Sequence, residues 1–120
     1  MKFSFELDKL KIEFSFWEQV WAVRFNKFWE IPLTNIEGAT SKEPQSNWRE
    51  IKAPGSFMPG VIKAGTYYTN RGKEFWYVTK ESNYLTVELK NESYKRMIVN
   101  LDDNEIWVER INQRIAAQTG

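Results

Sequence analysis

Apolar residues occupy every second position at Phe3, Phe5 and Leu7, and again, after Asp8-Lys9, at Leu10, Ile12, Phe14 and Phe16. A period of two puts these side chains on one face of an extended chain, so residues 3–16 predict a hairpin turning at Asp8-Lys9. Ser15-Phe16-Trp17-Glu18 is a helix capping box, in which the hydroxyl and the carboxylate each satisfy an amide that the first turn leaves open. The pattern beyond it is divided. Trp21, Val23 and Phe25 alternate as in a strand, and a helical wheel leaves Arg24 inside the apolar sector, but the capping box favours a short helix within 16–25.

Trp29 to Leu33 reads as a strand, with Pro32 placing it at a sheet edge or a strand end because proline donates no ladder bond. Ile36 to Thr40 is expected to continue the same sheet. Residues 41–60 hold three of the 4 prolines, with Ser46, Asn47, Gly55 and Gly60, and predict an ordered loop of successive turns. Trp48, Ile51, Phe57 and Met58 make that loop apolar enough to fold back over an open edge or end of the sheet. Thr66–Thr69 and Lys73–Thr79, rich in strand formers, flank Asn70-Arg71-Gly72 and predict a second hairpin with glycine available for a left-handed backbone. Tyr84 to Lys90 alternates, with Leu85, Val87 and Leu89 on one face, and Met97, Val99 and Leu101 mark a last strand. The period then changes. Trp107, Val108, Ile111 and Ile115 fall within about one third of a helical wheel. Asp102 is placed to cap with Glu105 three residues on, and Arg110 and Arg114 toward the far end suit the helix dipole.

Short strands followed by one amphipathic helix predict a mainly β domain with a C-terminal α-helix. Bent antiparallel β-sheets or a small barrel would be plugged at the open end by the helix, with Trp107 as its largest anchor. At 120 residues the chain has surface enough for one core and too little for two, giving a single domain over 1–120. Apolar residues at 42% and aromatics at 16% exclude a disordered tail. Lys plus Arg number 17 against 16 acidic residues, so no global field draws nucleic acid or an anionic membrane, and neither nucleic acid nor a transmembrane segment is expected. The absence of cysteine and histidine removes disulfides, thiolate chemistry, the usual metal ligands and the side chain that most readily moves protons near neutrality. No cofactor, metal site or catalytic residue is expected. The opening residues lack the apolar core of a signal peptide, which points to a cytoplasmic protein. Asn91-Glu92-Ser93 matches a glycosylation acceptor and is read as a turn.

Three motifs bear on chemistry. Gly55-Ser56-Phe57-Met58-Pro59-Gly60 has the glycine spacing of a phosphate-binding loop, but Val61-Ile62 stands where Lys-Ser/Thr must follow, so Gly60 and Gly65 are read as turn or close-approach positions. Lys63, Arg71 and Lys73 cluster along the chain with Tyr67, Tyr68 and Trp76, and Trp48-Arg49 can join them from the loop. Cations beside aromatic faces can receive an anionic head group, a phosphate or an acidic peptide, so Trp48, Arg49, Lys63, Tyr67, Arg71, Lys73 and Trp76 form the candidate ligand-binding set. Cross-strand packing and ion pairing are the competing explanation. Glu74 sits in an aromatic setting where burial could raise its proton affinity, but beside Arg71 and Lys73 it is more often an ion-pair partner than a general base.

The stretch from Gly55 to Tyr68, Arg71-Gly72-Lys73-Glu74-Phe75-Trp76, Tyr94 to Val99, Phe16-Trp17-Glu18 leading to Ile31-Pro32-Leu33, and the terminal Asp102-Asp103-Asn104-Glu105 together resemble a bacterial PH-like domain family of small proteins. The likeness runs over most of the chain. It implies the pleckstrin-homology type of fold, a bent antiparallel sheet capped by a helix, and little about activity, since lipid binding by relatives would transfer only by fold analogy. A non-catalytic binding or scaffold module recognising a protein or an anionic ligand is therefore the leading expectation. Self-association into a homo-oligomer through a strand edge or exposed tryptophans is the alternative, and a small carboxylate-dependent enzyme around Glu74 ranks last.

Overall fold

A computed structural model describes residues 1–21, 27–42, 51–52, 61–69, 71–79 and 83–119. The first hairpin is formed by β1 (Lys2–Glu6) and β2 (Lys9–Glu13), which pair antiparallel with Glu6 opposite Lys9. The turn therefore falls on Leu7-Asp8 and not on the expected Asp8-Lys9. Leu7 takes the positive φ of 54° and stands 92% exposed, so it leaves the apolar face that its position in the alternation assigned to it. The capping box forms as expected. The Ser15 amide donates to Glu18 Oε1 at 2.8 Å, the Glu18 amide donates to Ser15 Oγ at 3.3 Å, and α1 (Phe16–Trp21) follows. Val23 and Phe25 lie outside the described residues.

Next, β3 (Phe28–Pro32) pairs antiparallel with β2 and completes a three-stranded sheet ordered β1-β2-β3, with Pro32 at the end of an edge strand as proline requires. A 3-10 turn at Leu33–Asn35 then redirects the chain. As a result β4 (Ile36–Thr40) does not continue that sheet but pairs with β8 (Tyr84–Leu89) in a second one. The second sheet has the order β4-β8-β9-β7-β6-β5, where β5 is Ile51–Lys52, β6 Val61–Thr69, β7 Gly72–Thr79 and β9 Arg96–Asn100. Within the expected loop over 41–60 the described residues include a two-residue strand, and residues 43–50 and 53–60 lie outside them. The β6-β7 hairpin closes with Thr69 opposite Gly72, whose φ of 125° suits glycine alone, and an added Cβ there would meet Lys95 Cγ at 2.8 Å. Between β8 and β9, Asn91 takes a left-handed φ of 57° within the turn expected there. Pairing is largely antiparallel, but β9 slots between β8 and β7 and runs parallel to β7.

Among the described residues the two sheets share no paired strands, so the small barrel expected from the sequence does not close. The seam is filled by α2 (Asn104–Thr119). Trp107 packs against the rings of Phe3 and Phe5 in the first sheet, at 5.7 and 5.5 Å between centroids, and Ile111 is fully buried in the core shared with Leu85, Val87, Met97 and Val99 of the second. The helix begins two residues after the expected cap. The Trp107 amide donates to the Asp103 carbonyl, and the Asp103 carboxylate accepts from the Trp107 indole at 3.1 Å, so Asp103 and not Asp102 holds the N-cap position. Asn112 bonds the outer edge of β4 twice, accepting from the Ala39 amide and donating to the Ala39 carbonyl, each at 3.0 Å.

Candidate functional site

The basic-aromatic set divides by strand geometry. Along β7, alternation sends Glu74 and Trp76 to one face and Lys73 and Phe75 to the other. On the first face, Tyr67 is directly across from Glu74 and packs edge-on to Trp76 at 6.5 Å, and both rings are 2% exposed. They are core, not a ligand platform. Glu74 is completely buried. Its Oε2 accepts from Arg71 Nε at 2.9 Å and from Thr69 Oγ1 at 3.2 Å, its Oε1 accepts from the Trp76 indole at 3.0 Å, and Arg96 Nε lies 2.9 Å from Oε2 as an ion pair. Arg96 is the residue opposite Glu74 in the parallel β7-β9 pairing, so this cross-strand pair locks the inserted strand in register.

Burial pushes the Glu74 carboxyl up. The Arg71 hydrogen bond, the Arg96 charge and the Trp76 N–H outweigh it, so the group titrates below the ordinary glutamate value. A base for proton transfer near neutrality needs the opposite shift. Tyr77 moves up, by burial and by the charge of Glu18, so the two perturbed groups found among the described residues both move away from neutral pH. No cluster of three or more potential metal ligands occurs among the described residues.

Lys73 sits on the opposite face with its ammonium over the Tyr94 ring at 4.5 Å, where Tyr94 in turn packs on Trp29 and Phe75. The structure thus brings together Tyr67, Arg71 and Trp76 around Glu74 and separates Lys73 from them. Lys63 lies in β6 opposite Val78, and Trp48 and Arg49 lie outside the described residues. Of the expected ligand surface, Tyr67, Arg71 and Trp76 thus belong to an internal ion-pair cluster and its packing.

A different place carries unspent charge. A groove of about 330 Å³ opens between β1 and α2, lined by Phe5, Arg110, Gln113 and Arg114. The Arg114 guanidinium stacks over the Phe5 ring at 4.5 Å and that of Arg110 over the Trp107 ring at 5.3 Å. Neither arginine has a carboxylate partner among the described residues. Four residues apart on one helix face, the two like charges repel by a few tenths of a kcal/mol, a cost that an anion between them would reverse. Sequence reasoning missed this pair by assigning both residues to the helix dipole. The signal was present: positions three and four away from each hold Ile106, Trp107, Ile111, Gln113, Ala117 and Gln118, with no acid to neutralise either charge.

No protein-family model, no curated protein and no solved structure matches this chain. No helix among the described residues is long and apolar enough to cross a membrane.

Proposed function

We propose that this chain is a non-catalytic binding module, of the pleckstrin-homology kind that its sequence resembles, and that it recognises an anionic group on a partner through Arg110 and Arg114. One observation carries the reading. Two guanidiniums without carboxylate partners among the described residues flank a groove and lie over aromatic rings, a setting suited to meeting a carboxylate or phosphate. This moves the binding surface from the hairpin at Arg71 and Lys73 to the helix that closes the fold. Self-association through exposed tryptophans has less support, because the described indoles of Trp76 and Trp107 are buried and that of Trp29 is half-buried.

The test is a titration of the ¹⁵N-labelled protein with inorganic phosphate and with acetate, following arginine side-chain resonances. Arg110 and Arg114 Nε–H signals should shift and saturate, and Arg110→Gln/Arg114→Gln should remove the response from the neighbouring Gln113 and Trp107 signals. Equal shifts at every exposed lysine and arginine, with these two undistinguished, would reject the site.

A further inference from the structure

The same groove borders an unfinished sheet. Asp8, Leu10, Ile12 and Phe14 of the β2 segment face β3. The Leu33 amide donates to the Asp8 carbonyl and the Phe14 amide to the Lys27 carbonyl, in the register that sets Leu10 opposite Ile31 and Ile12 opposite Trp29. Lys9, Lys11 and Glu13 therefore turn their backbone groups toward Glu6, Ser4 and Lys2 of β1. Phe3 and Phe5 are left with N–H and C=O groups pointing outward, and β1 has no further strand beside it among the described residues. Their side chains point toward α2, where Trp107 touches both rings and Arg114 covers Phe5.

We infer that the occupant of this groove is an extended acidic peptide that adds to β1 as an antiparallel strand and sets alternate carboxylates against Arg110 and Arg114. The inference rests on the anion-binding reading of those two arginines. Alternate residues of a strand are about 6.8 Å apart along its axis, and residues four apart on a helix about 6 Å. Acids at positions i and i+2 of the peptide thus match the spacing of the two arginines. Main-chain bonds to Phe3 and Phe5 supply affinity and the arginines supply selection. A second copy of this chain fits less well, because its own β1 would bring Phe3 and Phe5 to the side where the arginines require carboxylates.

Parity makes the test sharp. In an antiparallel addition the residues opposite Phe3 and Phe5 share their face and their hydrogen bonding, so the peptide residues whose N–H groups bond β1 are the acidic ones that face α2. The probe is a fluorescent Thr-Glu-Thr-Glu-Thr-Glu-Thr peptide followed by anisotropy, with versions N-methylated at the glutamates or at the threonines. Methylation at glutamate should weaken binding at least tenfold and methylation at threonine should leave it within about threefold. Arg110→Gln/Arg114→Gln, both exposed positions, should also weaken it at least tenfold. If both methylated peptides bind as well as the parent while the arginines still matter, strand addition is overturned and anion recognition survives. If the arginine variant binds as tightly as the native chain, both readings fail. A concentration-dependent dimer in sedimentation velocity, dissociated by mutation in β1 and not by the peptide, would assign the edge to a second copy and overturn the peptide.

Discussion

Replacing Glu74 by glutamine keeps the size and one acceptor of the side chain but removes the charge that two arginines share. The consequences differ for the two. Arg71, with 45% of its side chain exposed, recovers hydration in water and its loss amounts to less than about 1 kcal/mol. Arg96, with only 9% of its side chain exposed, is left as a buried cation without its carboxylate, which typically costs about 3–5 kcal/mol. A domain of this size would lose roughly 10–20 °C in Tm. Urea denaturation followed by tryptophan fluorescence measures it directly. Removing both charges, as Glu74→Leu/Arg96→Leu, should recover much of the loss, because no unpaired ion then remains inside. The pH dependence has a definite sign. The folded carboxyl titrates below the ordinary glutamate value of 4.5, so its stabilisation is complete above that pH and disappears as acid protonates the folded group at its lower value. The stability gap between native chain and Glu74→Gln should therefore be constant from neutral pH to about 5 and shrink in more acidic solution. A Glu74→Gln variant within 1 kcal/mol of the native chain, or one no worse than the double variant, would refute the buried-clamp argument.

Two further expectations follow from single residues. Leu7 holds a φ of 54° while 92% exposed, so Leu7→Gly relieves the left-handed strain without removing packing and should raise stability by about 1 kcal/mol in the same denaturation assay. A destabilised Leu7→Gly would mean that the turn is not strained. Trp107→Ala empties the seam between the sheets and should lower stability by about 3–5 kcal/mol, with near-ultraviolet circular dichroism reporting the loss of the Phe3 and Phe5 ring contacts. An unchanged midpoint would remove the helix from its role as the closure.

What a linear pattern conveys here is the existence and face of each strand, because period two is local: the alternation of Leu85, Val87 and Leu89 and the apolar stripe from Trp107 to Ile115 both appear as such in the fold. It does not convey partners. Nothing local distinguishes a β4 that continues the first sheet from one that opens the second, or shows that β9 inserts between β7 and β8. Turn position is likewise ambiguous when neither Leu7, Asp8 nor Lys9 is a glycine, since the positive φ must fall on a residue that resists it. The expected grouping of Lys73 with Tyr67 and Trp76 came apart for a reason already contained in the strand period. Lys73 and Trp76 are near in sequence, but their odd separation sends them to opposite faces, so proximity along the chain was no guide to a shared surface. Arg110 and Arg114 needed the reverse step, from helix positions to the absence of acids three and four residues away on the helix.

Asn112 makes the edge strands β4 and β1 unequally open to foreign chains. Its carboxamide offers Ala39 one donor and one acceptor at 3.0 Å, as a neighbouring backbone unit would, so the outer flank of β4 is already occupied by a side chain masquerading as main chain. Between these two edges, accretion of extended segments, productive or fibrillar, is thereby biased to β1 at Phe3 and Phe5.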